Sequence, residues 1–392
     1  MIYNFDSSQT GAPVLSGTAG ALRALLKACL VDGFGAGAVA TLTVSAGVAT
    51  ATYAGAHPFA PGRVAEISGA TPAELNGKKI VTTTTGSSIT FPAPGVPDGS
   101  ATGTISSKAA APGWLELFAG ALTNVIALKP SVPEATGCVL RVDDTGTTTA
   151  RMVGYESMDG ISSGVGAYPS AVQQSGGVFW PKSDAASSAA RPWRMFADER
   201  AFALWVAPSG AQIGHGVFFG FGDFISDKSG DAYGCYLPGG ALAADVTTSS
   251  TAVGACLGYA NAAAAASVYV PRAYTGVGGS QAARKSSAYA AAAAYSGLAG
   301  YSNQGIPYPN PADNSLRVSR LDLLIGSTGF RGRIPGIYHT PHVVGEAFVT
   351  GDLVAGSGEF AGRTLMALRC GPPGAAIANA GCVFVDLTGP WR

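Results

Sequence analysis

Charged residues are scarce in this chain of 392 residues. Lysine and arginine together number 24, aspartate and glutamate also number 24, and these four types make up 12% of the sequence, about half of the roughly 25% that is usual. The resulting net charge of zero argues against a nucleic-acid binder, which needs a cationic surface. A monomer with so little charge is prone to associate, so we expect other subunits to cover much of the surface.

Long hydrophobic runs, targeting signals and closely spaced cysteines are also missing. No stretch reaches the roughly 18 consecutive apolar residues that a membrane-spanning helix needs. The N-terminal residues have neither the basic nor the apolar part of a signal peptide. The six cysteines are widely spaced and form no Cys-x-x-Cys pair, which predicts buried free thiols in a protein made in a reducing compartment.

One amphipathic helix is predicted near the N-terminus. Apolar side chains recur at i, i+3, i+4, i+7 and i+8 over residues 22–30, the spacing of a single helical face. Ser16 or Thr18 can cap its start, and Gly33 can end it. The pattern predicts about four turns, with one apolar stripe packed against a core.

Residues 36–109 predict a separate module. Short runs with alternating Thr, Val and Ile, such as residues 41–44, 64–68 and 101–106, are separated by turn residues such as Ser45–Gly47. This period of two at this spacing predicts a small antiparallel β-sandwich or barrel inserted into another domain.

The remaining chain predicts a mainly β fold with a minor α part. Residues 1–35 and 110–246 form a β-rich body that carries the helix, and residues 314–392 form a C-terminal β region. Strands of that region are predicted at 321–325, 342–344, 346–349, 364–368 and 382–386. Residues 202–206 are almost continuously apolar, so that strand should be covered on both faces.

Residues 247–313 are rich in alanine, glycine and serine and contain many tyrosines. A long segment of this kind within a domain is unusual, and we expect an extended arm that is ordered mainly by neighbouring subunits. Tyrosine supplies rigid amphipathic contact area, which suits a protein interface or stacking on a sugar. The predicted interface residues are Tyr274, Tyr289, Tyr295, Tyr301 and Tyr308.

Motifs that suggest catalysis are weak. Residues 160–164 match the G-x-S-x-G pattern of a nucleophile elbow around Ser162, but the flanking sequence lacks the required strand and helix, which favours a flexible loop. The acidic pairs 143–144 and 198–199 could perform acid–base chemistry if they met across a cleft. Arginines such as Arg200 lie close to them in sequence, which favours ion pairs within the fold or between subunits.

Metal and nucleotide motifs are incomplete. His339 and His342 are three residues apart with Pro341 between them, unlike the helical i, i+4 pair of a zinc site, so they are interpreted as loop histidines. Residues 227–231 begin like a calcium loop and then depart from the EF-hand pattern, which leaves a looser calcium site that uses Asp223, Asp227 and Asp231, or a solvated turn. We therefore predict no catalytic residue, metal or cofactor.

Several segments resemble virion structural proteins of tailed bacteriophages. They are TGAPVLS (10–16), ACLVDGF (28–34), LRVDDTG (140–146), RPW (191–193) and FGDF (221–224). ISGAT (67–71) and LNG (75–77) resemble a small β-domain that recurs in phage tail and fibre proteins. The resemblance covers roughly residues 1–235, and because its motifs are structural it implies a virion component and brings no enzymatic residue.

These observations together predict a non-enzymatic structural subunit of a phage virion, with a tail or baseplate position favoured. Its partners would be copies of itself and other virion proteins, without nucleic acid or membrane, and it would assemble in the host cytoplasm. Alternatives are a head-decoration or head–tail connecting protein, a host-surface carbohydrate-binding adhesion protein that uses its tyrosines, and a hydrolase that uses Ser162.

Overall fold

A computed structural model describes most of the chain. The described residues are 1–211, 213–241, 256–258, 267–286, 306–326, 329–371, 377 and 380–392. Within them the fold is mainly β, the strands pair in antiparallel ladders, and one short α-helix lies near the N-terminus. The predicted fold class is therefore confirmed.

The first elements are a strand, a helix and the strands of the predicted insertion. Strand β1 spans Tyr3–Asp6 and helix α1 spans Ala21–Lys27, continuing as a π-helical turn over Ala28–Asp32. A short 3-10 turn at Ala73–Leu75 lies between β5 and β6. The strands here are β2 (Phe34–Ala38), β3 (Thr41–Ser45), β4 (Val48–Thr52), β5 (Val64–Ser68), β6 (Gly77–Ile80), β7 (Thr83–Thr84), β8 (Ser88–Pro92), β9 (Gly99–Ser100) and β10 (Ser106–Ala109).

Two further groups of strands follow. The first group is β11 (Leu115–Leu117), β12 (Val125–Lys129), β13 (Val139–Asp143), β14 (Thr149–Tyr155), β15 (Ser157–Gly160), β16 (Ser163–Val165) and β17 (Val178–Pro181). The second is β18 (Trp193–Ala197), β19 (Ala201–Val206), β20 (Val217–Asp223), β21 (Ile225–Ser226), β22 (Cys235–Pro238), β23 (Val268–Val270), β24 (Gln281–Ser286), β25 (Ser319–Ile325), β26 (Gly329–His339), β27 (Leu353–Ala355), β28 (Thr364–Cys370) and β29 (Gly381–Asp386). A 3-10 turn at Gly358–Phe360 precedes β28.

Thirteen of the described strands form one large sheet. Its order is β1-β18-β19-β20-β22-β23-β24-β25-β26-β29-β28-β27, and β21 pairs with β26. Strands β19 and β28 are eight positions apart in this order, about 40 Å in a flat sheet. The Trp205 indole in β19 nevertheless donates to the Arg369 carbonyl in β28 at 2.7 Å. The sheet therefore curls back on itself and encloses a core that includes Phe218, Leu323 and Val383.

A second layer covers the outer face of the first half of this sheet. It consists of a five-stranded sheet in the order β11-β12-β13-β14-β17 together with α1. Alternate residues of β19 enter the two cores: Phe202 and Leu204 contact the outer core, whereas Ala203 and Trp205 contact the enclosed core. Burial of β19 on both faces confirms the prediction for residues 202–206.

The predicted insertion has two sheets of its own. Their orders are β2-β10-β5-β6 and β7-β8-β4-β3-β9, and a core that includes Leu42, Ile67 and Phe91 lies between them. The turn residues Ala46 and Gly47 have φ of 49° and 73°, as the hairpin between β3 and β4 requires. The predicted strand at 101–106 is wrong, because Thr102 forms only an isolated bridge with Thr71 and strand β10 begins at Ser106.

Residues 247–313 do not form a free arm where the structure describes them. Strands β23 and β24 lie in the middle of the large sheet, between β22 and β25, and Val268 and Val270 are buried. The sheet thus runs through both predicted boundaries, at 246 and 313, and joins the body to the C-terminal strands. Residues 242–255, 259–266 and 287–305 lie outside the described part.

The C-terminal predictions are confirmed in part. Strands β25, β28 and β29 cover the predicted runs at 321–325, 364–368 and 382–386. The predicted strands at 342–344 and 346–349 are wrong, because these residues form a bridge and a turn. The six cysteines are free and buried, as predicted.

Helix α1 is shorter than predicted. With its π-helical turn it covers residues 21–32, about three turns, and its apolar stripe over residues 22–30 is buried. The predicted end at Gly33 is confirmed, since this glycine has φ 74°, a conformation in which a side chain is strained.

The N-terminus of α1 is capped from a distant part of the chain. Neither Ser16 nor Thr18 makes the predicted capping hydrogen bond. The carboxylate of Asp144 instead accepts hydrogen bonds from the backbone N–H groups of Leu22 (2.7 Å) and Arg23 (3.0 Å). Sequence rules for caps consider adjacent residues only, so this cap could not be predicted locally.

The same carboxylate is paired with a lysine. Lys182 donates to Asp144 and to the Thr18 carbonyl (2.7 Å), and both charged side chains are fully buried. Burial raises the pKa of Asp144, although Lys182 acts to lower it. This pair therefore connects the helix start to the ends of β13 and β17.

Replacing Asp144 should be strongly destabilising. Asp144→Ala leaves Lys182 buried without its counter-charge and removes the cap of α1, so the free energy of unfolding should fall by about 3–5 kcal/mol. Chemical denaturation measures this loss. Asp144→Leu combined with Lys182→Met should lose less, because no unpaired charge remains buried.

An exposed ion pair provides the matched control. Asp313 and Arg317 form a solvent-exposed pair, and Asp313→Ala should leave the denaturation midpoint unchanged. Equal effects of the Asp144 and Asp313 substitutions would show that the buried pair is not a major source of stability.

Candidate functional site

The tyrosines predicted to form an interface lie in different surroundings. Tyr274, in the loop between β23 and β24, is 51% exposed. Tyr308 is half-buried, and its ring lies 5.3 Å from that of Phe348 and 5.9 Å from that of His342. The Tyr308 ring therefore packs against the chain's own core, and its role at an interface stays a prediction. Tyr289, Tyr295 and Tyr301 lie outside the described residues.

Tyr274 belongs to a cluster of exposed and half-exposed side chains that we call the Tyr274 surface. Its members are Lys228, Tyr233, Arg272, Tyr274 and Val277. The ammonium of Lys228 donates to the Tyr274 carbonyl at 2.9 Å and lies 5.6 Å from the centre of its ring. Val277 is 73% exposed. The surface thus presents an aromatic ring, of a residue type that is enriched at interface centres, beside a cation and an apolar side chain.

Contacts from a second element hold this loop in place. Arg272 donates to the carboxylate of Glu156, just before hairpin β15–β16, at 2.5 Å, and its guanidinium lies 5.5 Å from the Tyr233 ring. The Gln173 side chain donates to the Ser280 carbonyl at 2.9 Å. Because both ends of the loop are fixed, the Tyr274 ring is presented at little further cost in conformational entropy.

A buried ion pair lies beneath the Tyr274 surface. Arg331 donates to Asp231 and, at 3.0 Å, to the hydroxyl of Ser226, which itself donates to Asp231 at 2.7 Å. The Arg331 guanidinium also lies 5.9 Å from the Tyr274 ring. Burial acts to raise the pKa of Asp231, but Arg331 and Ser226 outweigh it and lower the pKa.

This ion pair argues against the calcium site that the sequence left open. Asp231 is bound by Arg331, and Asp223 is bound by Arg200 at 2.8 Å and by the Thr136 hydroxyl at 2.6 Å. Two carboxylates of the suggested calcium site are thus neutralised by arginine. Among the described residues, no three His, Cys, Asp or Glu side chains are grouped to hold a metal ion.

The G-x-S-x-G segment is a β-hairpin rather than the predicted flexible loop. Residues 160–164 connect β15 to β16, and Gly160 pairs with Ser163. A nucleophile elbow needs a strand followed by a helix, and the described chain continues here as a strand. The environment of Ser162 is therefore an exposed hairpin turn.

The two histidines are buried, and one of them is not in a loop. His339 is the last residue of β26, and its Nε2 lies 2.8 Å from the Leu257 carbonyl. Burial lowers its pKa to about 4. His342 Nδ1 lies 3.0 Å from the Pro307 carbonyl. Each imidazole thus bonds a backbone carbonyl, a contact that fixes the loop or segment beside it.

The acidic pairs form ion pairs within the fold, as one of their interpretations predicts. Asp144 is paired with Lys182, and Asp198 is paired with Arg392. The sequence pointed to arginines close by, and Asp143 does pair with the nearby Arg141 at 3.6 Å. Lys182 and Arg392 instead lie far along the chain from the aspartates they pair with, because neighbouring strands bring distant residues together.

A cleft of about 490 Å³ lies beside the Tyr274 surface. Its lining combines the charged Arg200, Lys228, Asp231 and Arg392 with the apolar Phe224 and Ile225. Because Lys228 belongs to both, the cleft continues the Tyr274 surface.

Besides Lys182, the sequence gives no sign of a second buried lysine, Lys285 in β24. Its side chain is almost fully buried, and Nζ donates to the Ser267 hydroxyl at 2.7 Å. Burial lowers its pKa to about 8, and the Cys256 thiol partly opposes that shift. Lys285 shares a face with the buried Ala283 two residues earlier, but nothing in the sequence indicates that a lysine here points inward.

Neither a protein-family model nor a curated protein matches the chain. Over the described ranges, none of the helices has the length and hydrophobicity that crossing a membrane requires. The candidate site is therefore defined by its own geometry, which is that of a contact surface around Tyr274.

Replacing Lys285 tests its low pKa. Lys285→Met should raise the free energy of unfolding at pH 7 by up to about 3 kcal/mol. In the wild type the folded state binds the Lys285 proton less tightly than the unfolded state does, and the substitution removes this penalty. The unfolded chain holds the extra proton between the folded pKa of about 8 and the ordinary 10.5. The difference in the free energy of unfolding between variant and wild type should therefore be largest below pH 8 and should vanish by about pH 10.5.

Urea denaturation of both proteins at pH 7 and pH 10 measures this difference. Lys79, which bonds the Glu74 carbonyl at the surface, gives the control, since Lys79→Met should show no such pH-dependent difference. If Lys285→Met changes the free energy of unfolding by the same amount at both pH values, the pKa of Lys285 is not lowered.

Proposed function

We propose that this protein is a non-enzymatic structural subunit of a tailed-bacteriophage virion, in the tail or baseplate. The observation that carries the proposal is the structural role of the residues in the segments that resemble phage virion proteins. Asp144 caps α1 and pairs with Lys182, Asp223 pairs with Arg200, and Trp193 is buried with its indole bonded to the Pro13 carbonyl at 3.0 Å. These residues maintain a framework, as structural motifs of a virion protein would.

The surface supports the same proposal. The chain has no net charge and few charged residues, which favours association. The Tyr274 surface offers a preformed aromatic and apolar contact, which suits a repeated interface with another copy or a sister subunit. Such a protein acts by placement and contact, without a reaction.

A host-surface carbohydrate-binding protein is the second candidate. Two features favour this candidate: the half-exposed Tyr274 ring beside Lys228, and the adjacent cleft of about 490 Å³ with polar groups in its lining. An aromatic ring can stack on a sugar while polar groups bond the sugar's hydroxyls. The two candidates use the same surface and differ in its partner.

Purified particles should contain this chain in a fixed number of copies. Quantitative mass spectrometry of intact virions measures the ratio of this chain to the other structural proteins. A constant, multiple copy number across preparations supports the proposal. A stable monomer that is absent from purified virions would refute it.

The Tyr274 surface should contribute to association. Tyr274→Ala should weaken self-association or binding to the neighbouring subunit by at least about tenfold, since central aromatic contacts commonly contribute more than 1 kcal/mol. Tyr274→Phe keeps the ring and should retain most of the affinity. Analytical ultracentrifugation measures both.

Val48 supplies the control for this experiment. It is 44% exposed on the inserted sandwich, and Val48→Ala should leave association unchanged. Loss of glycan binding by Tyr274→Ala on a glycan array, with unchanged association, would favour the carbohydrate-binding candidate instead.

A further inference from the structure

A second surface feature lies on the outer face of the β25–β26 pair. Leu321 and Leu323 of β25 and Ile334 of β26 point into the enclosed core. Because side chains alternate along a strand, Arg320 of β25 and Arg333 of β26 point to the opposite, outer face. Arg320 is opposite Tyr338 in the register of the two strands, so two cations and a phenol share this face.

A cleft of about 340 Å³ opens over this face, within the size range of small-ligand sites. No acidic residue is among the residues that line it in the described part of the chain. The charged and aromatic side chains that line the cleft are those of Arg320, Arg333, Arg363, Arg392, Tyr338 and Trp391.

The four arginines are not equivalent. Arg363 pairs with the buried Asp386, and Arg392 pairs with Asp198. Neither Arg320 nor Arg333 makes an ion pair or a side-chain hydrogen bond with the residues that the structure describes. Arg363 and Arg392 are thus held in place by their ion pairs, whereas the N–H donors of Arg320 and Arg333 remain available to a ligand.

Two carboxylates, Asp322 and Asp227, lie near the available arginines, and neither is among the residues that line the cleft. Asp322 is directly opposite Arg333 in the strand register. Burial and the Asp227 carboxylate raise the pKa of Asp322, while Arg333 and Arg320 act to lower it. The charged side chains that line the cleft are all arginines.

We propose that this cleft binds an oxyanion, a phosphate or carboxylate group of a small or polymeric ligand, through Arg320 and Arg333. Guanidinium groups match both oxyanions in bidentate geometry. The half-buried Tyr338 ring and the edge of Trp391 provide a surface for the group that carries the anion. This inference goes beyond the structural role proposed above and does not depend on it.

Isothermal titration of the purified full chain at low ionic strength tests the site. The probes are pyrophosphate, trigalacturonate and the neutral trisaccharide maltotriose. We expect at least one of the two anions to bind and maltotriose not to bind. Tighter binding of pyrophosphate would assign the site to phosphate ligands, and tighter binding of trigalacturonate would assign it to acidic saccharides.

A matched pair of variants localises the binding. Arg320→Ala combined with Arg333→Ala should weaken anion binding by at least about tenfold, as expected for charge-assisted hydrogen bonds. Lys79→Ala combined with Lys108→Ala removes the same charge from the inserted sandwich and should leave binding unchanged. Thermal denaturation checks that both double variants are folded.

Two results would overturn the proposal. One is that neither anion binds the wild-type protein at millimolar concentration and low ionic strength. The other is that the two double variants bind the anions equally well, which would mean that the anions respond to overall charge. Neither result bears on whether the chain is present in virions, so the two proposals fail separately.

Discussion

The buried ion pair between Asp144 and Lys182 fixes how helix α1 meets the five-stranded sheet of the second layer. Asp144 and Lys182 are removed from water, and the remaining acceptor sites of the carboxylate are used by the first backbone N–H groups of α1. A charge in this position is tolerated only when paired and hydrogen-bonded. The position of the helix, the end of β13 and the segment after β17 are therefore determined together, and the outer core closes around them.

The curled sheet supplies the second constraint. Its first half is covered by the outer core on one face and by its own second half on the other, so β19 and β20 are apolar at nearly every position. The outer face of β28 and β29 is covered by a smaller core that includes Val344, Leu365 and Phe384. The outer face of β25 and β26 instead carries Arg320, Asp322, Arg333 and Tyr338. The arginine-lined cleft lies on this face of β25 and β26, and Tyr274 lies in the loop between β23 and β24.

The sequence is informative where one local rule decides the structure. The period of two in residues 36–109, the hairpin at Ala46–Gly47 and the continuous apolar run at 202–206 each follow from side-chain alternation or turn geometry, and the structure agrees. It is uninformative where a distant residue decides. The cap by Asp144, the burial of Lys285 and the place of β23, a three-residue strand in an alanine-rich segment, all depend on contacts far apart in sequence.

The two connections of the inserted sandwich lie side by side. Phe34 at the start of β2 pairs with Ala109 at the end of β10, and Gly33 approaches so closely that a Cβ there would lie 2.3 Å from the Ala109 carbonyl. The module also contacts the host fold away from these connections, since Arg63 pairs with Asp6 of β1, the Gln9 side chain donates to the Pro58 carbonyl at 2.7 Å, and Val64 enters the outer core. An unrelated sandwich grafted at this junction would therefore need equally close ends and a replacement for these contacts, which limits the modules that evolution or engineering can exchange here.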